Sequence, residues 1–404
     1  MPWLLLLLLL LLVQVFRASG FKVTKGSGWH VLWGSLAPAE LLAGVNPWQR
    51  HNHFPGTWEL GRKDRLYRNI AAAARRTRNP VAFGFVPKFF ILPADLEEFK
   101  LDLAQNPRTT YIRKPVASSR GRGVRVVTDP HALDAAALTD VILQHYIPNP
   151  LLIGGRKFDL RVYVAVTSLD PLRVYVYKEG LVRFASEQYS SSKSSLKQAT
   201  MHLTNYSINK KAPHFKQPNG GSNTAAANKW SFGQLAEHLE QQGHDWQSVW
   251  QQVCSIVTHT LIATEPALSA ATRSAGGPIL LRSCFEVFGF DVLLDAQLRA
   301  WLLEVNTCPA LNADSPLDMG VKTNMVSSSA PSQTRCCLAA SRSAVVHHSE
   351  GGVKLQWAWG KLLCFFPRLL VYVSCQPLEV SCLCTPAGAT VLVCRWLTCW
   401  AWLA

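Results

Sequence analysis

Toward the end of the chain's middle section, apolar side chains fall into two runs, Val287–Leu294 and Leu298–Val305, separated by the polar triplet "DAQ". β-branched and aromatic residues dominate both, so the pattern predicts a hairpin. Upstream, Phe158, Leu160, Val162 and Val164 alternate with Lys157, Asp159, Arg161 and Tyr163. That period of two predicts a strand with one apolar face and one charged face. The stretch that follows, to Ser186, predicts a meander with turns at "SLDP" and "KEG". "TTYIRKPVASSRGRGVRVVTD" predicts strand, Gly-rich loop, strand. "VILQHYIPNPLLI" predicts a strand running into a Pro-rich linker, and "FGFVPKFFILPAD" a mix of strand and loop. A basic helix is expected from about Lys63, after a turn at Pro55-Gly56. Two helices broken near Gly243 are expected between Ser231 and Leu268. Residues 211–229 hold few core formers and predict a mobile loop. Mostly antiparallel strands with inserted helices make the fold class α+β.

Composition changes the picture at the two ends. The chain has 404 residues and a formal charge of +15, with a pI near 9.5. Such a balance favours an acidic partner: nucleic acid, an anionic membrane or an acidic polypeptide. No zinc-finger spacing and no RNA-binding signature is present, so nucleic acid is not expected. Residues 1–20 form a hydrophobic leader that resembles a secretory signal, yet it lacks a basic n-region and is short for a membrane span. Three of the 11 cysteines precede residue 330, so residues 327–404 form a Cys-rich tail without period or caps. The three scattered cysteines of the middle suit a reducing compartment rather than a disulfide framework. A membrane span is not expected. The expected organisation is a leader (1–20), a catalytic domain (21–326) and the tail (327–404).

The candidate chemistry lies among the strands. If the hairpin loop is Ala296 to Arg299, Asp291 lies opposite Glu304, and Glu304 and Asn306 point the same way. Two carboxylates side by side in an apolar setting resist ionisation unless a cation neutralises them. Asp, Glu and Asn oxygens are the ligand type Mg²⁺ prefers. The loop "SSRGRG" contains Arg120, Gly121 and Gly123, whose backbone could approach a phosphate closely. Lys114 and Lys157 would add ammonium groups. Arg161 offers a planar fork for a carboxylate or acyl phosphate. His202, Thr204 and Asn205 sit in a predicted turn. Each feature has a plain counterpart: a hairpin or strand with one solvated face, an ordinary basic loop, or local backbone bonding in a turn.

The order of these features is that of an ATP-grasp ligase site. "HFPGTWELGRKDRLYRN", "KPVASSRGRGV", "RKFDLRVYVAVTSLDPLRVYVYKEGLVRFAS", "MHLTNYSINKK" and "FGFDVLLDAQLRAWLLEVNTCPAL" closely resemble the tubulin tyrosine ligase-like family, and within it the polyglutamylase branch. The resemblance runs from about Phe21 to Asn324. It implies an ATP-grasp-type fold with N-terminal, central and C-terminal subdomains. It implies phosphate-binding lysines at Lys63, Lys114 and Lys157, and an adenine hinge at Gln144, His145, Tyr146 and Ile147. Residues near ribose, phosphate and the incoming amino acid fall on Asp159, Arg161, Arg183, His202, Thr204 and Asn205. Magnesium ligands fall on Asp291, Glu304 and Asn306. Arg161, Arg183, Lys157 and Glu304 carry the implied catalysis. The implied cofactors are ATP and Mg²⁺. The implied reaction is addition of L-glutamate to tubulin C-terminal tails, or to another acidic polypeptide, by a monomer in the cytoplasm, cytoskeleton, cilium or basal body. A glycylase, a ligase acting on a non-tubulin protein, or a poorly active ATP- or microtubule-binding form are the alternatives. Two departures stand out: Arg113 fills a slot that is usually apolar, and "NTCPAL" replaces the usual "NLSPSL" or "NISPSL".

Overall fold

The alternation around residue 160 folds as one long antiparallel hairpin, β8 (Arg156–Leu169) with β9 (Leu172–Phe184), turned at Asp170-Pro171. The computed structural model describes residues 13–18, 21–24, 28–118, 121–134, 138–192, 194–210, 228–311, 315–326 and 392–395. The expected turn at "KEG" is not a turn. The pairing passes from Val164↔Val176 to Val162↔Gly180, so the segment is a bulge within β9.

This hairpin is the centre of the larger sheet. β11 (Cys284–Leu294) pairs antiparallel with β8, and β12 (Ala300–Asn306) pairs antiparallel with β11. Beyond β11 lie β2 (Arg50–Asn52) and β1 (Val31–Leu32), both parallel additions. β10 (Lys229–Ser231) borders β9, and β7 (Leu152–Ile153) pairs with β8. β13 (Leu392–Arg395) pairs parallel with Arg173–Val176. A second sheet holds four strands in the order β3 (Phe89–Leu92), β6 (Val141–His145), β4 (Tyr111–Pro115), β5 (Arg125–Val127), all antiparallel. The α+β expectation therefore holds for the described residues.

The basic helix spans Lys63–Thr77 and buries Leu66, Tyr67, Ile70 and Ala73, at the i, i+3, i+4 spacing of one helical face. Ser231 and Gln234 form a capping box at the start of helix Phe232–Gln241. Asp245 accepts from Gln247 N and Ser248 N and opens helix Trp246–Gly276. The break near Gly243 is thus real, but the second helix runs through Pro266 to Gly276.

Phe158, Leu160, Val162, Val164 and Val166 point to one side of β8 and meet Trp250, Val253, Val257 and Leu261 in the main core. Each such fully buried side chain contributes roughly 2 kcal/mol. The other face of β8 is not solvated either. Lys157 and Asp159 are buried beneath the cleft described below, and Tyr163 and Ala165 join a second cluster. That cluster includes Val321, Met325 and Val326 from a helix at 316–326, and Val15 from a helix at 13–18. Phe16 packs edge-on against Trp33. Part of the expected leader thus packs against the body of the fold, because an apolar sheet face there needs a cover. Residues 211–227 of the predicted mobile loop, and 327–391 and 396–404 of the predicted tail, lie outside the described residues. No helix among the described residues is long and apolar enough to cross a membrane.

Candidate active site

A cleft opens between the two sheets. Lys114, Gln144, His145, Tyr146 and Ile147 reach it from the smaller sheet and its exit. Lys157, Asp159, Asp291 and Glu304 reach it from the larger sheet. Lys63, Gly121, His202, Thr204 and Asn205 complete the polar lining. The sequence reading missed the apolar walls, Ile112, Val124, Leu203, Leu293 and Leu303. No motif marks them, since they look like ordinary strand residues. Gly123, Arg161, Arg183 and Asn306 stand behind the lining rather than on it, and Arg120 lies outside the described residues.

The carboxylate hairpin forms as expected: Asp291 pairs with Glu304, and Gly289 with Asn306. Asn306 Nδ2 lies 3.4 Å from Asp291 Oδ2 and 3.5 Å from Glu304 Oε1. What relieves the Asp291 charge is a pair of arginines. Arg161 grips Asp291 as a fork, Nε to Oδ1 at 2.6 Å and NH2 to Oδ2 at 3.2 Å. Arg183 NH2 reaches the same Oδ2 at 2.8 Å. Arg183 also forks onto Asp159, at 2.7 and 2.6 Å, and Thr204 Oγ1 donates to Asp159 Oδ2 at 2.6 Å. The carboxylate on the Arg161 fork is therefore one of this chain's own. Strand register explains the set, since Arg161 is opposite Asp291 and Arg183 opposite Asp159. Gly289 makes room for it: a Cβ there would meet Arg161 Cδ at 3.0 Å. Burial alone would raise the Asp291 carboxyl, but the two guanidiniums outweigh it and hold it well below the usual range.

The lysines are held differently. Lys63 Nζ pairs with Glu304 Oε2 at 3.0 Å and donates to Ser118 O at 3.2 Å, tying the glycine loop to the hairpin. Burial would lower its pKa, but Glu304 outweighs this and raises it. Lys114 donates to Gln144 Oε1 at 2.6 Å and lies 3.3 Å from Tyr67 Oη. Gln144 Nε2 in turn donates to Pro87 O at 3.0 Å, so the side chain of this hinge residue orients a lysine. Lys157 donates to Tyr146 Oη at 3.1 Å. Among the described residues neither Lys114 nor Lys157 forms an ion pair. Burial, reinforced by Lys63, pushes Lys114 down to about 8. Burial, opposed by Asp159 and reinforced by Lys114, pushes Lys157 down to about 7. Tyr146 Oη lies 2.9 Å from His202 Nδ1, and His202 Nε2 lies 3.0 Å from Ser195 O. A carbonyl only accepts, so Nε2 carries the proton and Nδ1 accepts from the tyrosine. Burial and the nearby Lys157 also depress His202, which favours this neutral ring.

The residues fit an anionic ligand and a divalent cation. Two buried ammonium groups without counter-ions are costly until an anion arrives. Gly121 has φ +71° and lies against Asn205, where a Cβ would come within 2.7 Å of Oδ1, so only glycine fits this close approach. No group of three or more His, Cys, Asp or Glu side chains suited to a metal gathers among the described residues. Two carboxylates and the Asn306 amide, turned over to present its oxygen, are enough for an ion that keeps waters and phosphate oxygens as ligands. Asp291 Oδ1 accepts only the Arg161 Nε bond among those described and so retains a free lone pair. Cys308, one of the two departures, is exposed and lies 3.8 Å from His53 Nε2. His53 Nδ1 is 2.8 Å from the fully buried Glu286. Its thiol thus faces that pair.

The profile of the Tubulin-tyrosine ligase family matches residues 42–335. The chain is 39% identical over 317 residues to tubulin monoglutamylase TTLL4 of Mus musculus, covering 78% of this chain and 26% of that relative. It is 40% identical over 317 residues to tubulin polyglutamylase TTLL5 of Homo sapiens, covering 78% of this chain and 24% of the relative. To tubulin polyglutamylase ttll-4 of Caenorhabditis elegans it is 38% identical over 318 residues, 78% of this chain and 51% of the relative. The chain spans about a quarter of the length of the first two.

Proposed function

The chain belongs to the tubulin-tyrosine ligase family, and we propose that it is an ATP-dependent ligase adding glutamate to glutamate side chains of tubulin C-terminal tails. One observation carries this reading: among the described residues Lys114 and Lys157 are buried without an ion pair, in one cleft with Asp291 and Glu304. ATP, with Mg²⁺, would supply the phosphoryl group that converts the acceptor γ-carboxylate into an acyl phosphate, leaving ADP; the donor amine then attacks the acyl carbon, forming the amide and releasing phosphate and a proton. Lys114 and Lys157 bind the phosphate chain, with Gln144 and Tyr146 setting their directions. Asp291, Glu304 and Asn306 hold the metal. Arg161 and Arg183, behind the lining, position Asp291 and Asp159 and offset the negative charge that gathers there as the donor and acceptor carboxylates approach. The apolar walls exclude water, which would otherwise consume an activated acyl group. The formal charge of +15 suits an acidic acceptor and predicts steering that salt weakens. The names of the relatives, tubulin mono- and polyglutamylases, support glutamate as the donor. The proposed substrate supports a location in the cytoplasm, on the microtubule cytoskeleton, cilium or basal body.

The test is incubation with tubulin, Mg-ATP and each labelled amino acid in turn. Glutamate should enter tubulin only with ATP present. Glycine incorporation instead would make the protein a glycylase, and no ATP-dependent incorporation of any amino acid would overturn the reading.

A further inference from the structure

Behind the hinge lies a polar cluster that the proposed chemistry does not use. Asp102, on helix Leu96–Gln105, is 2% exposed and does not line the cleft. Four donors converge on its carboxylate. Lys88 Nζ at 2.8 Å and Asn106 Nδ2 at 3.1 Å reach Oδ1. Tyr111 Oη at 2.6 Å and His145 Nε2 at 2.7 Å reach Oδ2. A carboxylate only accepts, so His145 presents Nε2–H to it. Burial would raise this carboxyl, but Lys88, Tyr111 and His145 outweigh it and bring it to about 2.

The positions of these partners matter. Lys88 immediately precedes β3, Tyr111 opens β4, and His145 closes β6. One carboxylate therefore ties the ends of three adjacent strands at the point where the hinge leaves the sheet. The backbone there is held too: His145 N donates to Lys88 O and Tyr146 N to Thr110 O, both at 2.8 Å. The next residues, Tyr146 and Ile147, line the cleft. His145 also stands edge-on to Tyr111, with ring centroids 5.3 Å apart.

We infer that Asp102 is a positioning residue for the base end of the nucleotide cleft, acting through His145 on the segment Gln144–Ile147. The inference rests on the ATP reading above. Removing the carboxylate frees the end of β6 but takes away no group that Lys63, Lys114 or Lys157 contacts; the loosened segment reaches Lys114 and Lys157 only through the side chains of Gln144 and Tyr146. Binding that depends on the base should therefore suffer much more than binding of the phosphate chain.

The experiment uses the full chain and titrates two probes, Mg-ATP and inorganic tripolyphosphate with Mg²⁺, which lacks the base. In Asp102→Ala, ATP affinity should fall by roughly tenfold, about the effect of one lost charge-assisted hydrogen bond. Tripolyphosphate affinity should stay within about twofold. His145→Ala should show the same split, and the double variant should lose little more than either single one, because both act on one contact. If Asp102→Ala does not fold, Asp102→Asn is read in the same way. Equal ATP affinity in the variants and the wild type would overturn the inference, and so would an equal loss for both probes. A wild type that binds neither probe would instead overturn the ATP reading, and this inference with it.

Discussion

The arginine side of the cleft and its lysine side are both buried, yet only the first is neutralised from within. Arg161 and Arg183 face Asp291 and Asp159 in a set of two positive and two negative groups, joined by five contacts of 2.6 to 3.2 Å. Among the described residues Lys114 and Lys157 meet only neutral groups: the Gln144 amide, the Tyr67 phenol and the Leu303 carbonyl for the first, and the Tyr146 phenol for the second. Buried ions normally come paired, and unpaired ones titrate toward neutrality. The difference therefore separates architecture from ligand site. The arginines fix the strands that carry the carboxylates, and the lysines have their counter-ion in the substrate. Nor does Lys63 blur the contrast, for its partner Glu304 is itself a candidate metal ligand.

Breaking the paired side should cost most. Asp291→Ala leaves two guanidiniums buried without their shared partner. We expect a loss of about 3–5 kcal/mol in folding stability, measured by urea unfolding, together with loss of ligation. A variant of wild-type stability would show that the arginines are paired elsewhere. The unpaired side should respond with the opposite sign. Lys157→Met removes a buried amine that forms no ion pair among the described residues, so the ligand-free protein should keep or gain stability. Its ATP affinity should fall by about 10- to 100-fold, as for a lost charge-assisted contact. Titration calorimetry and a melt on the same preparation read both.

This contrast was only partly legible in the sequence. Asp291 opposite Glu304 could be read from alternation and a short polar turn, because strand pairing close in sequence follows from local pattern. The cross-strand Arg161–Asp291 pair spans 130 residues, and no local rule predicts which strand β8 will meet. The charged face of β8 reads equally well as a solvated one, and what buries it is distant in sequence: Tyr146 meets Lys157, and Arg183 and Thr204 meet Asp159. Gln144 could be placed at the hinge by resemblance, but its grip on Lys114 needs β4 and β6 to be neighbours. Val15 reads as part of a hydrophobic leader, because a Leu-rich run carries no sign of the sheet face it will cover.

Arg161→Lys sharpens the comparison at smaller cost. It keeps the charge and loses the planar fork, so it should cost about 1 kcal/mol of stability through one lost hydrogen bond. Turnover should fall more than ATP affinity. A collapse of ATP affinity with unchanged glutamate dependence would place Arg161 at the nucleotide instead. The smallest effect is on pH dependence. Lys157 has a folded pKa of about 7, below its ordinary value of 10.5. Between these values the unfolded chain binds the extra proton, so this lysine makes stability rise with pH from about 7 toward 10.5. The wild type should show that rise in thermal melts more steeply than Lys157→Met, and saturating Mg-ATP should flatten it. Parallel profiles for the two proteins would remove the lysine from the account.

The central claim, that the counter-ion of the buried lysines is the phosphate chain of ATP, is tested most directly by proton uptake. Mg-ATP is titrated into the protein at about pH 8 in buffers of different ionisation enthalpy, which yields the protons taken up per ATP bound. At that pH Lys157 is largely neutral and Lys114 partly so, with pKa values of about 7 and about 8. Binding should recharge both, so net uptake is expected in the wild type and less of it in Lys157→Met. Binding without proton uptake, or uptake undiminished in Lys157→Met, would contradict the account.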